Sequence, residues 1–531
     1  MEIKKIGIFF LVVIVIAGII GCSADTTDSS PSEQKGSDTT EPKETSGGTL
    51  NVAYLAQPQT LDPHITTANA TRDPARLIFE TLVTLNENYE VTPQLAESYE
   101  ISEDGTTITF KLREGIKFHN GTEMTAEDVV ASMTKWGESA IAKANLGEHE
   151  WVAKDKYTVE LHFEGPSSVI MYVLADIDQF AAIMPKEVID SAGPSGITEY
   201  IGTGPFKLEN WAHDQHMLFT RFEEYQPVDE PASGLAGKKE ALVDEIYFHF
   251  VPDESTRVNG LLSGEYDFAH MLPYDAIPQL ENVPNIEIDI WPFGIQALVF
   301  NKKEGLFRDV RMRQAVNYAL NKEEILTAAF TSPKYFELDP SLFLPEQTDW
   351  YTDAGQEYYN QQDLEKAKQL LQEAGYNGEE VIILTSRDYA HHYNSAVATQ
   401  QQLQEIGINA KLEVYDWATL LERRDQPELW DIFFTGFPTS STPHQYTFLD
   451  TRANWPGWTN NPEFDRLLDE IKAQTSQEEA KALYAELQQL MWEDLPIINI
   501  GRNLRVSAYS DKVQGYQEFK GPVFWNVSIS E

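Results

Sequence analysis

The 531 residues carry 84 acidic side chains against 40 basic ones, a formal charge of −44 that repels phosphate backbones and counts against nucleic acid as a partner. With 42% hydrophobic and 11% aromatic residues, the chain can fill two or three sizeable cores. Acidity on this scale also suits life outside a cell in salty or alkaline surroundings.

The amino end opens "MEIKK" and runs uncharged from Ile6 to Ile20 before Gly21 and Cys22, the layout of a secretory signal. The apolar run falls short of the roughly 20 residues of a membrane span, so removal is favoured over retention. Cys22 is the only cysteine, placed where apolar residues give way to small polar ones. Residues 23–48 contain no aromatic or large aliphatic side chain and read as a disordered tether. At 5 to 6 Å times the square root of its length, it would hold a domain on the order of 30 Å from its anchor. The folded body is expected from Thr49.

Further along, "TTITFKL" places Ile108, Phe110 and Leu112 on one face, and "YTVELHF" does the same with Val159, Leu161 and Phe163, as half-buried strands do. "GTEMTAEDV" enters a helix through Thr125, with Glu127 and Asp128 in its first turn, after a turn at Asn120-Gly121. In the second half, Asp363 caps a helix that ends at Gly375, and Ser476 with Glu479 opens another in capping-box spacing. Between such helices lie apolar strands, "VIIL" from Val381 and "DIFFTGF" from Asp431. This alternation predicts an α/β lobe with a largely parallel sheet.

Every catalytic signature fails. "HEWVA" from His149 has Ala153 where a zinc-protease helix needs its second histidine. "SGLAGKKE" looks like a phosphate loop, but Ala232, just before it, stands where the first glycine is needed, and Lys239 stands where a hydroxyl is needed. "GTGPFK" from Gly202 lacks the third glycine of a dinucleotide fingerprint, and no Gly-x-Ser-x-Gly elbow occurs. The pairs His213/His216 and His391/His392 supply too few donors for a zinc or nickel site, so no metal and no cofactor are assigned.

The segments "LAQPQTLDPH", "PQLAESYEISEDGTTITFKLREGIKFHNGTEMTAEDVVAS", "GTGPFKL", "DESTRVNGLLSGEYD", "FRDVRMRQAVNYALNKEEI" and "QQLQEIGINAKLEVYDWATL" resemble, in this order, the peptide and nickel class of ABC-importer solute-binding proteins. The stretch from Pro93 to Ser132 is the most specific of them, yet it reads as scaffold. "Ile19-Ile20-Gly21-Cys22" likewise resembles a bacterial lipobox, with Cys22 acylated. The resemblance implies an α/β, two-lobed clamp of the periplasmic-binding-protein kind with an extra inserted subdomain. Residues 1–21 would be the signal and 22–48 the tether; 49–295 would form lobe I with the insertion at about 75–200. Lobe II would span 296–501, and the tail 502–531 would return to lobe I. Two crossings, near Gly294 to Phe300 and Ile500 to Arg505, would form the hinge.

The same resemblance implies a receptor, not an enzyme: a monomer, lipid-anchored on the outer face of the cytoplasmic membrane, that closes on a solute and docks on an ABC permease with its ATPase. By position in the family, the cleft would be lined by Thr67, Asn69, Thr71, Arg72, Trp291, Phe293, Gln296, Trp417, Ser440, Ser441, His444 and Tyr446. Trp525 is expected to be buried scaffold. Peptide-binding members carry an aspartate after Gly-Trp that pairs with the peptide's ammonium group; here Gly436-Phe437 leads to Ser440, and no carboxylate appears before Asp450. A peptide receptor, a receptor for another solute (oligosaccharide, opine-like conjugate or metal chelate) and a lipid-anchored hydrolase are the three readings, with the last far behind.

Overall fold

The computed structural model describes residues 47–530. The signal, Cys22 and the tether therefore lie outside the described residues, with only the last two tether positions inside. Two strands organise the rest. Ile286–Phe300 and Ile497–Ser510 run antiparallel in register from Ile286↔Ser510 to Val299↔Ile497, with irregularities at Pro292/Gly294 and Gln296/Ala297. They form the middle of one 11-stranded mixed sheet.

On one side of this pair the sheet continues through Ile432–Pro438, Glu380–Ser386 and Asn409–Tyr415, mutually parallel as the alternating pattern predicts. On the other side it continues through Phe268–Ala269, Thr49–Tyr54, Glu245–Phe250, His216–Arg221 and Phe206–Ala212. The two long strands thus join the two halves of the sheet. Gly294 meets the end of Ile432–Pro438 so closely that a Cβ there would stand 2.0 Å from the Phe437 carbonyl oxygen. Only the absence of a side chain permits that junction.

The predicted local elements form for the predicted reasons. Asp363 accepts from Lys366 N at the head of Leu364–Ala374, and Gly375, at φ 79°, ends it. Ser476 caps Gln477–Asp494. Thr107–Leu112 and Thr158–Phe163 pair within a separate four-stranded antiparallel sheet. Thr125 and Asp128 form a capping box on Ala126–Trp136, and Asp128 also accepts from Lys186 N at 2.8 Å. "HEWVA" is strand, within His149–Asp155, and pairs with Thr158–Phe163.

"GTGPFK" owes its glycines to packing. A Cβ on Gly202 would stand 2.1 Å from the Ile78 carbonyl oxygen, and one on Gly204 2.4 Å from that of Leu77. Lys239, from the loop that mimics a phosphate binder, is buried against Glu80 at 3.3 Å and lies over the Trp525 ring. Trp525 is itself buried.

Candidate functional site

Two groups of polar side chains gather where the halves of the sheet meet. The first is ionic and closed on itself. Tyr54 donates to Asp73 at 2.5 Å, Arg72 Nε to Asp73 at 2.8 Å, and Arg72 Nη1 to Asp178 at 3.2 Å. Lys520, from the tail, holds Asp176 at 2.7 Å and reaches Asp178 at 3.6 Å. From the loop after Ile432–Pro438, Ser441 Oγ accepts from Lys520 at 3.3 Å, and Gln445 donates to Asp176 at 3.1 Å. Burial alone would raise the Asp176 carboxyl; the Lys520 ammonium overrides it and sets the pKa below the usual carboxylate range.

The second group lies on the two long strands and is open. Trp291 stands opposite Arg505, Gly294 opposite Asn503, and Gln296 opposite Gly501. Asn503 and Arg505, two apart, share one strand face. Gln296 donates to His392 Nδ1 and to Ser395 Oγ, both at 3.1 Å. His392 stacks on Trp417 at 5.8 Å, Tyr389 meets Trp417 edge-on at 4.7 Å, and His391 sits 4.2 Å from His392. Phe293 carries the Arg505 guanidinium on its face at 4.7 Å. Burial, reinforced by His392 and by the Arg505 charge, lowers the pKa of His391 to about 2; burial and Arg505 take His392 to about 3. Both imidazoles are neutral at physiological pH.

Of the residues expected to line the cleft, Trp291, Phe293, Gln296 and Trp417 come together in the open group, and Arg72 and Ser441 in the ionic one. Ser440 is buried, its carbonyl accepting from Gln347 at 2.7 Å. Tyr446 is packed among Phe343, Phe437 and Phe448, with its hydroxyl donating to Leu342 O at 2.9 Å. His444 bonds Leu468 O through Nε2. Thr71 donates to Thr60 O at 2.7 Å, the carbonyl of Asn69 accepts from Tyr54, and Thr67 is exposed. Sequence reasoning missed Arg505, Asn503, Lys520 and Asp176. No local pattern marks them, because each acquires its meaning from residues far away in the chain. The His391-His392 pair was visible in sequence, but only as a metal question. Among the described residues, no group of three or more His, Cys, Asp or Glu is placed to hold a metal ion.

The pattern of the bacterial extracellular solute-binding proteins, family 5 (middle), matches residues 90–460. A "Probable peptide ABC transporter periplasmic-binding protein" of Sinorhizobium fredii is 32% identical over 494 residues, covering 88% of this chain and 91% of its own. The glutathione-binding protein GsiB of Escherichia coli (strain K12) is 28% identical, covering 86% and 89%. Among solved structures, the binding protein AgaA of A. tumefaciens R10 in complex with agropinic acid superposes with a TM-score of 0.73 at 27% identity, over 91% of this chain and 99% of that one.

Proposed function

The chain belongs to the bacterial extracellular solute-binding proteins of family 5, the two-lobed receptors of ABC importers, and from that premise we propose that it captures a peptide-class solute between its lobes. It works outside the cytoplasm, with a permease and its ATPase as partners, and it is not an enzyme. No helix of the described residues is long and apolar enough to cross a membrane. In our reading Cys22 supplies the anchor as an acylated residue, the tether follows it, and the receptor acts as a monomer. Replacing Cys22 by Ser then abolishes partition into detergent. The lobes, 49–295 with the tail 502–531 against 296–501, pivot on the two long strands, and the subdomain at about 75–200 widens the first.

One observation carries the solute reading: a half-buried aromatic and polar patch, with buried groups left unmatched, lies on the strands common to both halves. Aromatic walls with a few placed polar groups suit an amphipathic solute. Ser440 occupies the position of the family's amine-binding aspartate. The nearby carboxylate of Asp176 is already neutralised by Lys520. A free amino terminus is therefore not required, and free and acetylated peptides bind alike. Ser440→Asp should favour free-amine peptides by about 1 to 3 kcal/mol. Calorimetry on the soluble form checks both expectations. A strong free-amine preference in the unmodified protein, unchanged by Ser440→Asp, overturns this account of the site.

AgaA, solved with agropinic acid, favours a second reading, an opine-like conjugate handled by the same clamp motion. Mass spectrometry of the solute retained through mild purification decides between the two.

A further inference from the structure

Buried polar groups in native proteins are matched, and each exception calls for a reason. Eight such atoms lie on the crossing strands: Asp289 Oδ2, Asn499 Oδ1 and Arg502 Nε and Nη1 are four, and the other four, Trp291 Nε1, Gln296 Oε1, Asn503 Oδ1 and Arg505 Nε, are likewise buried without a hydrogen-bond partner. The register lines these last four up along the same pair of strands, since Trp291 faces Arg505, Asn503 lies two residues on from Arg505, and Gln296 faces Gly501, four residues on. Arg505 is the unusual member. In a chain with 84 acidic residues, none is within 4 Å of it among the described residues. Its neighbour Arg502, on the other strand face, holds Asp339 at 2.6 Å.

The surroundings of Arg505 are aromatic. Phe293 underlies its guanidinium, and Tyr274, which donates to Leu504 O at 2.6 Å, borders it. His391 and His392 face it and are neutral, so Arg505 is the only charge they leave in the patch. Asp289, on the same strand as Trp291 and aligned with Ser507, keeps its Oδ2 buried and unpartnered, and burial raises its carboxyl to about 6; it forms no ion pair with Arg505. Tyr389, 42% exposed, opens the patch to solvent beside the half-buried Trp417.

We propose that Arg505 is the anchor for an anionic solute: its guanidinium, with Trp291 Nε1, receives a carboxylate, while Gln296 Oε1 and Asn503 Oδ1 accept from the solute's amide or hydroxyl groups. A planar guanidinium fork matches a carboxylate in two parallel hydrogen bonds, and a cation already held against an aromatic face is pre-organised for that geometry. The surrounding charge of −44 repels anions at a distance, so an acidic solute needs a local cation of this kind. This inference rests on the clamp reading above and narrows its solute to one bearing a carboxylate.

The test uses a mixed tripeptide library in two forms, free acid and carboxamide, each also with acetylated amines, in equilibrium dialysis read by mass spectrometry. The wild type should bind the acids at least about 10-fold tighter than the amides. Arg505→Gln should bring the two within about twofold, Arg505→Lys should keep part of the preference, and Trp291→Phe, which keeps the ring and loses only the N–H, should weaken the acids several-fold. Trp291→Phe carries the decision if Arg505→Gln fails to fold. Equal binding of acids and amides by the wild type overturns the inference and leaves the peptide reading standing. If no tripeptide binds, the peptide reading falls, and thermal shift with glutarate against glutaramide decides the anchor. Stabilisation of the wild type, but not of Arg505→Gln, by glutarate alone upholds it; no stabilisation by glutarate overturns it.

Discussion

The ionic cluster around Lys520 and the patch around Arg505 both lie where the halves of the sheet meet, yet they treat charge in opposite ways. Asp73, Asp176 and Asp178 meet Arg72 and Lys520 within the protein, and Ser441 and Gln445 complete the set from the far half. Around Arg505, two neutral histidines and aromatic faces leave the cation without a counter-charge. The first arrangement is satisfied with no ligand present and so ties the loop of Ser441 and Gln445 to Asp176 and Lys520. The second is incomplete without one. A clamp needs both: an interlobe contact of modest net strength, and a recognition surface whose unmatched groups make closure on the right solute more favourable than closure on nothing.

The largest effect comes from unbalancing the closed cluster. Lys520→Met leaves Asp176 buried without its cation, which costs about 3 to 5 kcal/mol, whereas Lys520→Met with Asp176→Asn restores most of the stability. Urea unfolding of the two variants measures it. Equal losses in both would show that Lys520 acts through packing and not through charge.

Acid should next destabilise the fold through buried histidines in both regions, and His270 isolates the share of the first. His270 stacks on Tyr54 at 4.7 Å beside the ionic cluster, with neither ring nitrogen hydrogen-bonded. Burial lowers its pKa from 6.5 to about 4. Between those values the unfolded chain takes up a proton that the folded one refuses, so stability falls as pH drops below 6.5 and the loss is complete near 4. For this one site the loss is on the order of 3 kcal/mol. His270→Phe removes that contribution, and melting curves at pH 7 and pH 5 should draw closer together than in the wild type. His391 and His392, with pKa values of about 2 and 3, add losses of the same sign through this range, while in the folded protein they stay neutral and the Arg505 patch keeps its single positive charge.

Gly294 tests the backbone beneath the open patch. Gly294→Ala forces its Cβ against the Phe437 carbonyl and should cost about 1 to 3 kcal/mol by overpacking. Because Phe293 and Gln296 flank it, solute affinity should fall as well. Calorimetry at a temperature where the variant is folded separates the two losses.

How much of this was legible in the sequence depends on distance along the chain. Caps such as Asp363 and Thr125 and the alternation in "TTITFKL" are local, and the structure repeats them. The order of the lobes came from the resemblance, whose quoted segments span most of the folded chain. Trp291, Phe293, Gln296 and Trp417 were expected in the cleft by family position alone. The partners that define each site were not legible: Lys520 and Asp176 are 344 residues apart, and Arg505 takes its character from residues near 291 and 391. An unpaired arginine is a statement about what does not surround it, and no window of sequence contains that.

The smallest prediction concerns the most recognisable stretch, Pro93 to Ser132, as a control on the comparison between the two regions. There Asp128 accepts from Thr125 N and Thr125 Oγ1, both at 2.8 Å, and from Lys186 N. Its role is to fix the entry of one helix, and its partners, Thr125 and Lys186, both lie away from the crossing strands in the chain. Asp128→Ala should therefore cost about 1 to 2 kcal/mol of stability, the range of a lost cap. Solute affinity and the preference between acid and amide should stay at wild-type values, opposite to the outcome for Trp291→Phe. A variant of Asp128 that loses solute selectivity while remaining folded would mean that the subdomain, and not the crossing strands, sets recognition.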